Sequence, residues 1–325
     1  MTMDKQYLLE TRNLKKYFPA GAGRTLHALD GVNLCIRPGR TLGVVGESGC
    51  GKSTLGKTIL RLTEPTDGQI FLNGQDITAM GRGELRKLRR KMQLIFQDPY
   101  ASLNPRMTVE DSIAEPMLVN KMFKTKGEAY GRVDELMELV GLAPRNASLF
   151  PHEISGGLRQ RVGIARALAT NPEFIVCDEP VSALDVSIQA QILNLLMDLQ
   201  DQLHISYLFI SHDLSVVKHI SHDVAVMYLG QCVEMGSTEE IFRHPLHPYT
   251  RTLLDAIPTP TLASPAQEPR IIRGEVVSPI DPAPGCRFAA RCPHATEACR
   301  QPQQERELRP GHTVLCCRAE ELNRP

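Results

Sequence analysis

The fold is decided by one stretch of sequence, GESGCGKS at residues 46–53, which fits the pattern G-x-x-x-x-G-K-[ST]. Glycines at these positions let backbone N–H groups turn inward around phosphate oxygens, and a helix after the loop adds the positive end of its dipole. Thr41–Val45 is an apolar run that predicts a strand before the loop, and residues 55–62 have helical spacing after it. Strand, loop and helix therefore follow one another in the order that a phosphate-binding loop requires.

This loop predicts contacts with a nucleotide and its magnesium ion. Lys52 would contact the β and γ phosphates, and the Ser53 hydroxyl would hold Mg²⁺. The predicted nucleotide contacts of the loop are Gly46, Ser48, Gly49, Cys50, Gly51, Lys52, Ser53 and Thr54.

A second apolar strand supplies the acidic residues that such a nucleotide site also needs. Four apolar residues, Phe174–Cys177, are followed directly by Asp178 and Glu179. Ligands of open α/β sheets lie at the carboxyl ends of the strands, where these two carboxylates would emerge. We predict that Asp178 binds Mg²⁺ through water and that Glu179 is the general base for the attacking water.

Composition and hydrophobic pattern argue against nucleic-acid-binding, membrane-spanning and secreted proteins. The 37 basic and 37 acidic side chains cancel, so a general basic surface gives no support for nucleic-acid binding. No apolar run approaches the roughly 20 residues of a membrane-spanning helix. The charged N-terminus lacks the apolar core of a signal peptide, so we do not expect secretion. Apolar strands alternate with helical stretches such as Ser187–Leu203, which predicts a parallel α/β sheet.

Further motifs make the sequence resemble the ATP-binding subunits of ABC transporters. The stretch SGGLRQR at residues 155–161 resembles the family's signature motif, with Leu158 where the family most often has glutamine. The other matching positions are Phe18 (or Tyr17) for stacking on adenine, Gln97 in the Q-loop, Asp185 in the D-loop and His212 as the switch histidine. The resemblance covers about residues 8–255.

This resemblance implies a fold and a site that two chains complete together. The fold would be α/β, a P-loop NTPase nucleotide-binding domain of ABC type at residues 1–255, with a mixed sheet and a helical subdomain at about residues 100–170. The segment Asp98–Val109 would contact cytoplasmic helices of membrane partners. The residues assigned to catalysis are Gln97, Glu179 and His212, with Gln97 also at Mg²⁺, and those assigned to the nucleotide of the opposite subunit are Ser155, Gly156, Gly157 and Asp185.

The C-terminal part of the chain has a different composition. Residues 256–284 hold seven of the 23 prolines and predict a linker. Residues 285–325 hold five of the nine cysteines, in the spacing C-x5-C-x6-C-x16-C-C. Four thiolates suit an iron–sulfur cluster or tetrahedral zinc, and this spacing is wider than the close pairs of structural zinc sites. The pattern therefore favours a [4Fe–4S] cluster, while zinc and free thiols remain open.

The same tail resembles the C-terminal extension of the oligopeptide/dipeptide transporter ATPases, a lineage that nickel importers share. The matching stretches are HPYT at residues 247–250, PGC at 284–286, RCP at 291–293 and HTVLC at 312–316. The resemblance implies a small irregular Cys-rich extension with a [4Fe–4S] cluster. Its predicted ligands are Cys286, Cys292, Cys299 and Cys316, with Cys317 as the alternative to Cys316.

These motifs together imply the ATP-hydrolysing subunit of an ABC importer for di- and oligopeptides, with ATP, Mg²⁺ and the cluster as cofactors. It would lie peripherally on the cytoplasmic face of the inner membrane. Its partners would be a second, homologous but different ATPase subunit, two permease subunits and, through them, an extracytoplasmic binding protein, without nucleic acid. The alternatives are a nickel or modified-peptide importer, a soluble ABC ATPase of DNA repair or translation, and a non-hydrolysing regulatory partner.

Overall fold

The computed structural model describes residues 7–257 and 278–323. Most of the predicted linker, residues 258–277, therefore lies outside the described residues. The chain divides into two compact units, of which the first comprises residues 1–36, 41–78 and 211–325 and the second residues 37–40 and 79–210. Among the described residues, no helix combines the length and the apolar character needed to cross a membrane.

Strands and helices alternate along most of the chain. In the described residues the strands are β1 (Leu9–Pro19), β2 (Thr25–Ile36), β3 (Thr41–Val45), β4 (Asp67–Leu72), β5 (Gln75–Asp76), β6 (Met92–Ile95), β7 (Phe174–Asp178), β8 (Ser206–Ile210), β9 (Asp223–Tyr228), β10 (Gln231–Ser237), β11 (Arg306–Arg309) and β12 (His312–Val314). The α-helices are α1 (Lys52–Ile59), α2 (Arg82–Leu88), α3 (Pro99–Ser102), α4 (Val109–Val119), α5 (Lys126–Leu139), α6 (Gly156–Leu168), α7 (Val186–Leu203), α8 (Leu214–Ile220), α9 (Thr238–Arg243), α10 (Pro248–Asp255) and α11 (Ala319–Leu322).

The first unit contains two groups of paired strands. An antiparallel sheet has the order β2-β1-β4-β5. In the other group β3 pairs in parallel with β9, which pairs antiparallel with β10, and β12 and β11 follow as antiparallel neighbours. The pairing is therefore mixed, as the family resemblance predicts. All five residues of β3 are buried, which explains why this strand is a continuous apolar run.

The second unit contains the parallel strands β6, β7 and β8, in that order. Every residue of β7 and β8 is buried, so both faces of these strands select apolar side chains. The acidic Asp178 is the last residue of β7. Helices α3 to α6 occupy residues 99–168, the part of the chain for which a helical subdomain is predicted.

The Cys-rich extension is joined to the first unit by regular backbone pairing. Glu234 of β10 pairs with Val314 of β12, and β11 pairs with β12. The expectation of an irregular extension is therefore wrong for residues 306–314, because backbone pairing stabilises strands there that the composition does not reveal. The described end of the predicted linker also pairs with β2, since the N–H of His27 donates to the carbonyl of Pro279 at 3.0 Å.

A buried carboxylate fastens this extension to β10. Glu234 is 1% exposed, and its side chain accepts hydrogen bonds from the backbone N–H groups of Leu246 at 2.7 Å and His247 at 2.8 Å. Nε2 of His312, in β12, lies 2.7 Å from the same carboxylate, and His312 is fully buried. A buried carboxylate is tolerated only when it is paired, so these three contacts hold β10, the α10 region and the extension together.

Removing this carboxylate should destabilise the protein. Glu234→Ala leaves the N–H groups of Leu246 and His247 and the ring of His312 without their acceptor. We expect the free energy of unfolding to fall by about 3 kcal/mol, measured by urea unfolding followed by circular dichroism. Glu239→Ala, which removes an exposed carboxylate of the same unit, should cost less than about 1 kcal/mol. Equal losses in the two variants would contradict the role given to Glu234.

Candidate functional site

The phosphate loop between β3 and α1 has a backbone that favours glycine. The φ angles of Gly46, Gly49 and Gly51 are 152°, 78° and 106°. A Cβ on Gly46 would lie 2.1 Å from the carbonyl oxygen of Met227, and one on Gly51 would lie 2.3 Å from that of Ala28. Neighbouring backbone therefore fixes the shape of the loop and leaves no space for a larger residue at these two positions.

The side chain of Lys52 lies inside the loop. The residue is 5% exposed, and its Nζ donates to the carbonyl oxygens of Gly46 at 2.7 Å and Glu47 at 3.1 Å. Lys52 is also the first residue of α1, so its ammonium charge adds to the positive end of the helix dipole. Both charges favour an anion at this point, as the predicted phosphate contacts require.

Tyr17 and Phe18, the two aromatic candidates for stacking on adenine, are consecutive residues of β1. The Tyr17 ring stacks on His27 with centroids 4.1 Å apart, and its hydroxyl donates to Asp30 at 2.5 Å. The Phe18 ring lies under the ammonium of Lys16, 4.8 Å from its centroid. Successive residues of a strand point to opposite faces, so only one of the two rings can face a given ligand.

In the second unit the structure brings two predicted catalytic residues together. Nε2 of Gln97 donates to Oε2 of Glu179 at 3.2 Å. Asp178, which directly precedes Glu179, is the last residue of β7 and is 7% exposed. Glu179 has a φ of 46°, and its N–H donates to the carbonyl of Ile210 at 3.0 Å. Such left-handed backbone is uncommon for glutamate and is found where surrounding structure constrains a functional residue.

The signature and D-loop residues lie at the starts of two helices of the second unit. Ser155 caps α6, and its Oγ accepts the N–H of Leu158 at 3.4 Å. Because this cap uses the main chain of Leu158, the departure from the family's usual glutamine leaves it intact. A Cβ on Gly157 would lie 2.7 Å from Cγ2 of Ile188 in α7. Ser155 and Asp185, which directly precedes α7, are both exposed.

The predicted site residues are divided between the two units. The phosphate loop and His212 belong to the first unit, where His212 is exposed close to the start of α8. The residues that belong to the second unit are Gln97, Ser155, Gly156, Gly157, Asp178, Glu179 and Asp185. Roles that join residues of different units therefore remain predictions.

Four of the five cysteines in the extension line one small cavity. They are Cys286, Cys292, Cys299 and Cys316, the four predicted ligands. Burial raises the pKa of Cys286 to about 12 and so favours its thiol form. The Sγ atoms of Cys299 and Cys317 lie 3.9 Å apart. Within residues 7–257 and 278–323, no three His, Cys, Asp or Glu side chains are arranged to hold a metal ion. The thiols are thus gathered but are not in ligating geometry.

Polar contacts from far along the chain reach the phosphate loop, and sequence reasoning missed them. The N–H of Glu47 donates to the hydroxyl of Tyr249 at 2.9 Å, and its carboxylate accepts from Nη1 of Arg291 at 2.9 Å. These partners are 202 and 244 residues away from Glu47, a separation over which no local pattern acts. The available signal was that Tyr249 lies in the HPYT stretch that matches the family.

Comparisons with known proteins agree with this geometry. The family models described as "ABC transporter" and "Oligopeptide/dipeptide transporter, C-terminal region" match residues 29–182 and 233–299. Bacillus subtilis YkfD is 52% identical over 311 residues, which cover 95% of this chain and 94% of YkfD. The oligopeptide transport ATP-binding protein AppF of the same organism is 50% identical over 322 residues, 96% of this chain and 98% of AppF. A dimeric ATP-binding cassette solved in a post-hydrolysis state with ADP and Pi has a TM-score of 0.65 at 29% identity, covering 71% of this chain and 98% of its own.

The fold and the phosphate loop place the protein in the class of α/β P-loop NTPases. More narrowly, the chain belongs to the ATP-binding subunits of ABC transporters, in the oligopeptide/dipeptide importer family. Such subunits are ATPases, and ATP and Mg²⁺ are expected for them.

Alanine in place of Gly51 should strongly weaken nucleotide binding. The added Cβ would meet the carbonyl oxygen of Ala28, so the loop would have to move, and we expect ATP to bind at least about 100-fold more weakly. Equilibrium titration with a fluorescent ATP analogue and Mg²⁺ measures the affinity. The control is Gly74→Ala, where φ is 77° and no atom lies within 4 Å of the added Cβ. Equal affinities in the two variants would contradict the steric argument.

Proposed function

We propose that this chain is the ATP-hydrolysing subunit of an importer that takes up di- and oligopeptides through a membrane permease. The observation that carries the proposal is the phosphate loop with Lys52 inside it, in one chain with a strand end at which Gln97 meets Glu179. The substrate class is taken from relatives such as AppF, whose name assigns it to oligopeptide transport and whose identity extends over nearly the whole chain.

The proposed chemistry divides hydrolysis among a few side chains. Phosphoryl transfer is catalysed mainly by positioning and by stabilisation of charge, and bound Mg²⁺ neutralises charge on the β and γ phosphates. Ser53 and Asp178 would hold that ion, and His212 would contact the γ-phosphate. Glu179 would take the proton of the attacking water. The hydrogen bond from Gln97 supports this role, because it orients the Glu179 carboxylate.

A second ATPase subunit would complete each site. Ser155, Gly156 and Gly157 at the start of α6 and Asp185 before α7 would serve the nucleotide bound by the opposite subunit. Val186, next to Asp185, is 82% exposed, which is high for an apolar side chain and supports cover by a partner. We propose that this partner is a homologous but different chain. The likeness to a dimeric cassette supports the pairing of two ATPase subunits, whichever chain the second one is.

The surface around Gln97 would face the permease. The aromatic residues on either side of it, Phe96 and Tyr100, are 43% and 52% exposed. Exposed aromatic side chains are typical of protein interfaces. Tyr100 lies in the segment Asp98–Val109, and Phe96 lies two residues before that segment. We therefore propose that two permease subunits dock here. The chain would lie peripherally on the cytoplasmic face of the inner membrane and reach the extracytoplasmic binding protein through them.

Glu179→Gln should stop turnover without removing ATP binding. Loss of a general base lowers the rate by at least about 100-fold, and the ATP-bound dimer should accumulate because its ATP is not consumed. Phosphate release and size-exclusion chromatography with ATP measure the two effects in the assembled complex. Glu173→Gln is the matched control, since Glu173 is 41% exposed and lies just before β7. Unchanged hydrolysis in Glu179→Gln would remove this residue as the base.

We also propose that the extension carries a [4Fe–4S] cluster. The four thiols that line one cavity have the number and type of donors that such a cluster needs. Cys317 does not line that cavity, which supports Cys316 as the fourth ligand. The thiols would have to move together to ligate, since no three of the potential ligands described here already stand in metal-binding geometry. A bound cluster would crosslink segments that are distant in sequence.

Anaerobic purification of the full chain tests the cluster directly. The protein should contain about four iron and four sulfide ions per chain and show broad visible absorption. Cys292→Ser should lose most of this iron, whereas Cys35→Ser, a cysteine of β2, should retain it. A colourless, iron-free and folded protein would contradict the proposal.

A further inference from the structure

Arg291 of the extension binds the phosphate loop directly. Its side chain is only 7% exposed, and Nη1 donates to Oε2 of Glu47 at 2.9 Å and to the Tyr228 hydroxyl at 3.2 Å. Glu47 is the second residue of the loop, and its N–H is already bonded to the Tyr249 hydroxyl. The main chain and the side chain of Glu47 are therefore held at once, the main chain from α10 and the side chain from the extension.

The apolar neighbours of these groups keep this contact in place. The rings of Tyr228 and Tyr249 have centroids 4.6 Å apart. Phe288 of the extension is 1% exposed and packs on both rings, with centroids 5.3 Å from each. Because Phe288 lies three residues before Arg291, the packing that anchors the extension also sets the position of the arginine. The arginine of the ion pair is thus shielded from water, while the Glu47 side chain is 26% exposed, and salt screens such a partly buried pair less than a surface pair.

Arg287 reaches the same loop by a second route. Its guanidinium donates to the carbonyl of Leu229 and to the carboxylate of Asp30, and its side chain is 4% exposed. Leu229 and Gly230 form the turn between β9 and β10, with φ angles of 41° and 82°. The N–H of Gly230 donates to the carbonyl of Cys50 in the loop at 2.8 Å, and Asp30 donates its own N–H to Gly230 at 2.8 Å. Arg287 therefore holds the turn that holds the loop.

The burial of both guanidinium groups makes these contacts specific. A buried cation without its partner loses both hydration and pairing, so each arginine strongly prefers the geometry that keeps its carboxylate partner. Both lie next to cysteines of the cavity, Arg287 directly after Cys286 and Arg291 directly before Cys292. The fold of the extension around that cavity consequently decides where the two charges are placed.

We propose that Arg287 and Arg291 are positioning residues for ATP binding, which hold the phosphate loop through the Leu229–Gly230 turn and through Glu47. The inference rests on the proposed function, because it requires that this chain binds ATP at the loop. The extension then stabilises the position of the phosphate loop in the nucleotide site. Loss of the contacts made by these two arginines weakens ATP binding more than it slows the chemical step, since neither arginine is assigned a contact with the reacting atoms.

The test measures nucleotide affinity in the full chain, by titration with the non-hydrolysable analogue AMP-PNP and Mg²⁺. Arg291→Gln should weaken binding about tenfold, in the range of coupling between linked sites, and Arg291→Lys should restore part of it because it keeps a donor for Glu47. In the importer complex KM for ATP should rise more than kcat falls. Arg287→Gln should also weaken binding. Arg300→Gln, which breaks an exposed pair with Glu297 in the same extension, should leave affinity within about twofold.

A double-mutant cycle separates positioning from long-range attraction between Arg291 and the anionic nucleotide. In a Glu47→Ala background, the Arg291→Gln step should change affinity by less than about twofold, because the side-chain acceptor at position 47 is already gone. An equal loss in both backgrounds would overturn the proposal. Unchanged affinity in Arg291→Gln would also overturn the proposal, provided that the melting temperature shows this variant to be folded. If Arg291→Gln does not fold, Arg291→Lys enters the same cycle and no coupling to Glu47 would overturn the proposal. Failure of the wild-type chain to bind the analogue would instead contradict the proposed function.

Discussion

The lack of space around the phosphate loop is the constraint on which the nucleotide site depends. Gly46 faces a carbonyl of β9 and Gly51 faces a carbonyl of β2, each closer than any Cβ tolerates. The carbonyl of Cys50 is bound by the turn between β9 and β10. The shape of the loop is therefore a property of two sheets and a turn of the first unit, more than of its own eight residues. A loop held in this way binds phosphates without first having to be ordered.

The second unit holds its own candidate residues by different means. Glu179 directly follows the fully buried strand β7 and keeps a left-handed backbone that a free loop would abandon. Ser155 and Asp185, at the starts of two helices of this unit, are exposed. The apolar Val186 next to Asp185 is also exposed, and no neighbour in the described part of the chain covers it. The first unit is thus organised around internal contacts, whereas the second offers surfaces that another subunit could complete.

Local patterns account for what the sequence could predict. The phosphate loop, the apolar run before Asp178 and the helical stretch that forms α7 all depend on neighbours within a few residues, and the structure has elements of the expected kind there. Local patterns could not reveal the roles of Arg287, Arg291 and Tyr249. Their partners, Glu47 and Asp30, lie more than 200 residues away from them in the sequence. The strands β11 and β12 were missed for a related reason. They have four and three residues. β12 pairs with the distant β10 and β11 pairs with β12, so strand pairing rather than propensity stabilises them.

The pairing of β12 with β10 also determines where the ATPase could be divided. A chain cut after α10 would keep the phosphate loop and both catalytic candidates of the second unit, but β10 would lose its outer neighbour. The open edge of a strand is a template for pairing with other chains, and here it would carry the Glu234 carboxylate without His312. Such a fragment should aggregate even though every nucleotide-binding motif is present. The extension is therefore part of the folding unit of the ATPase, whatever its cysteines bind.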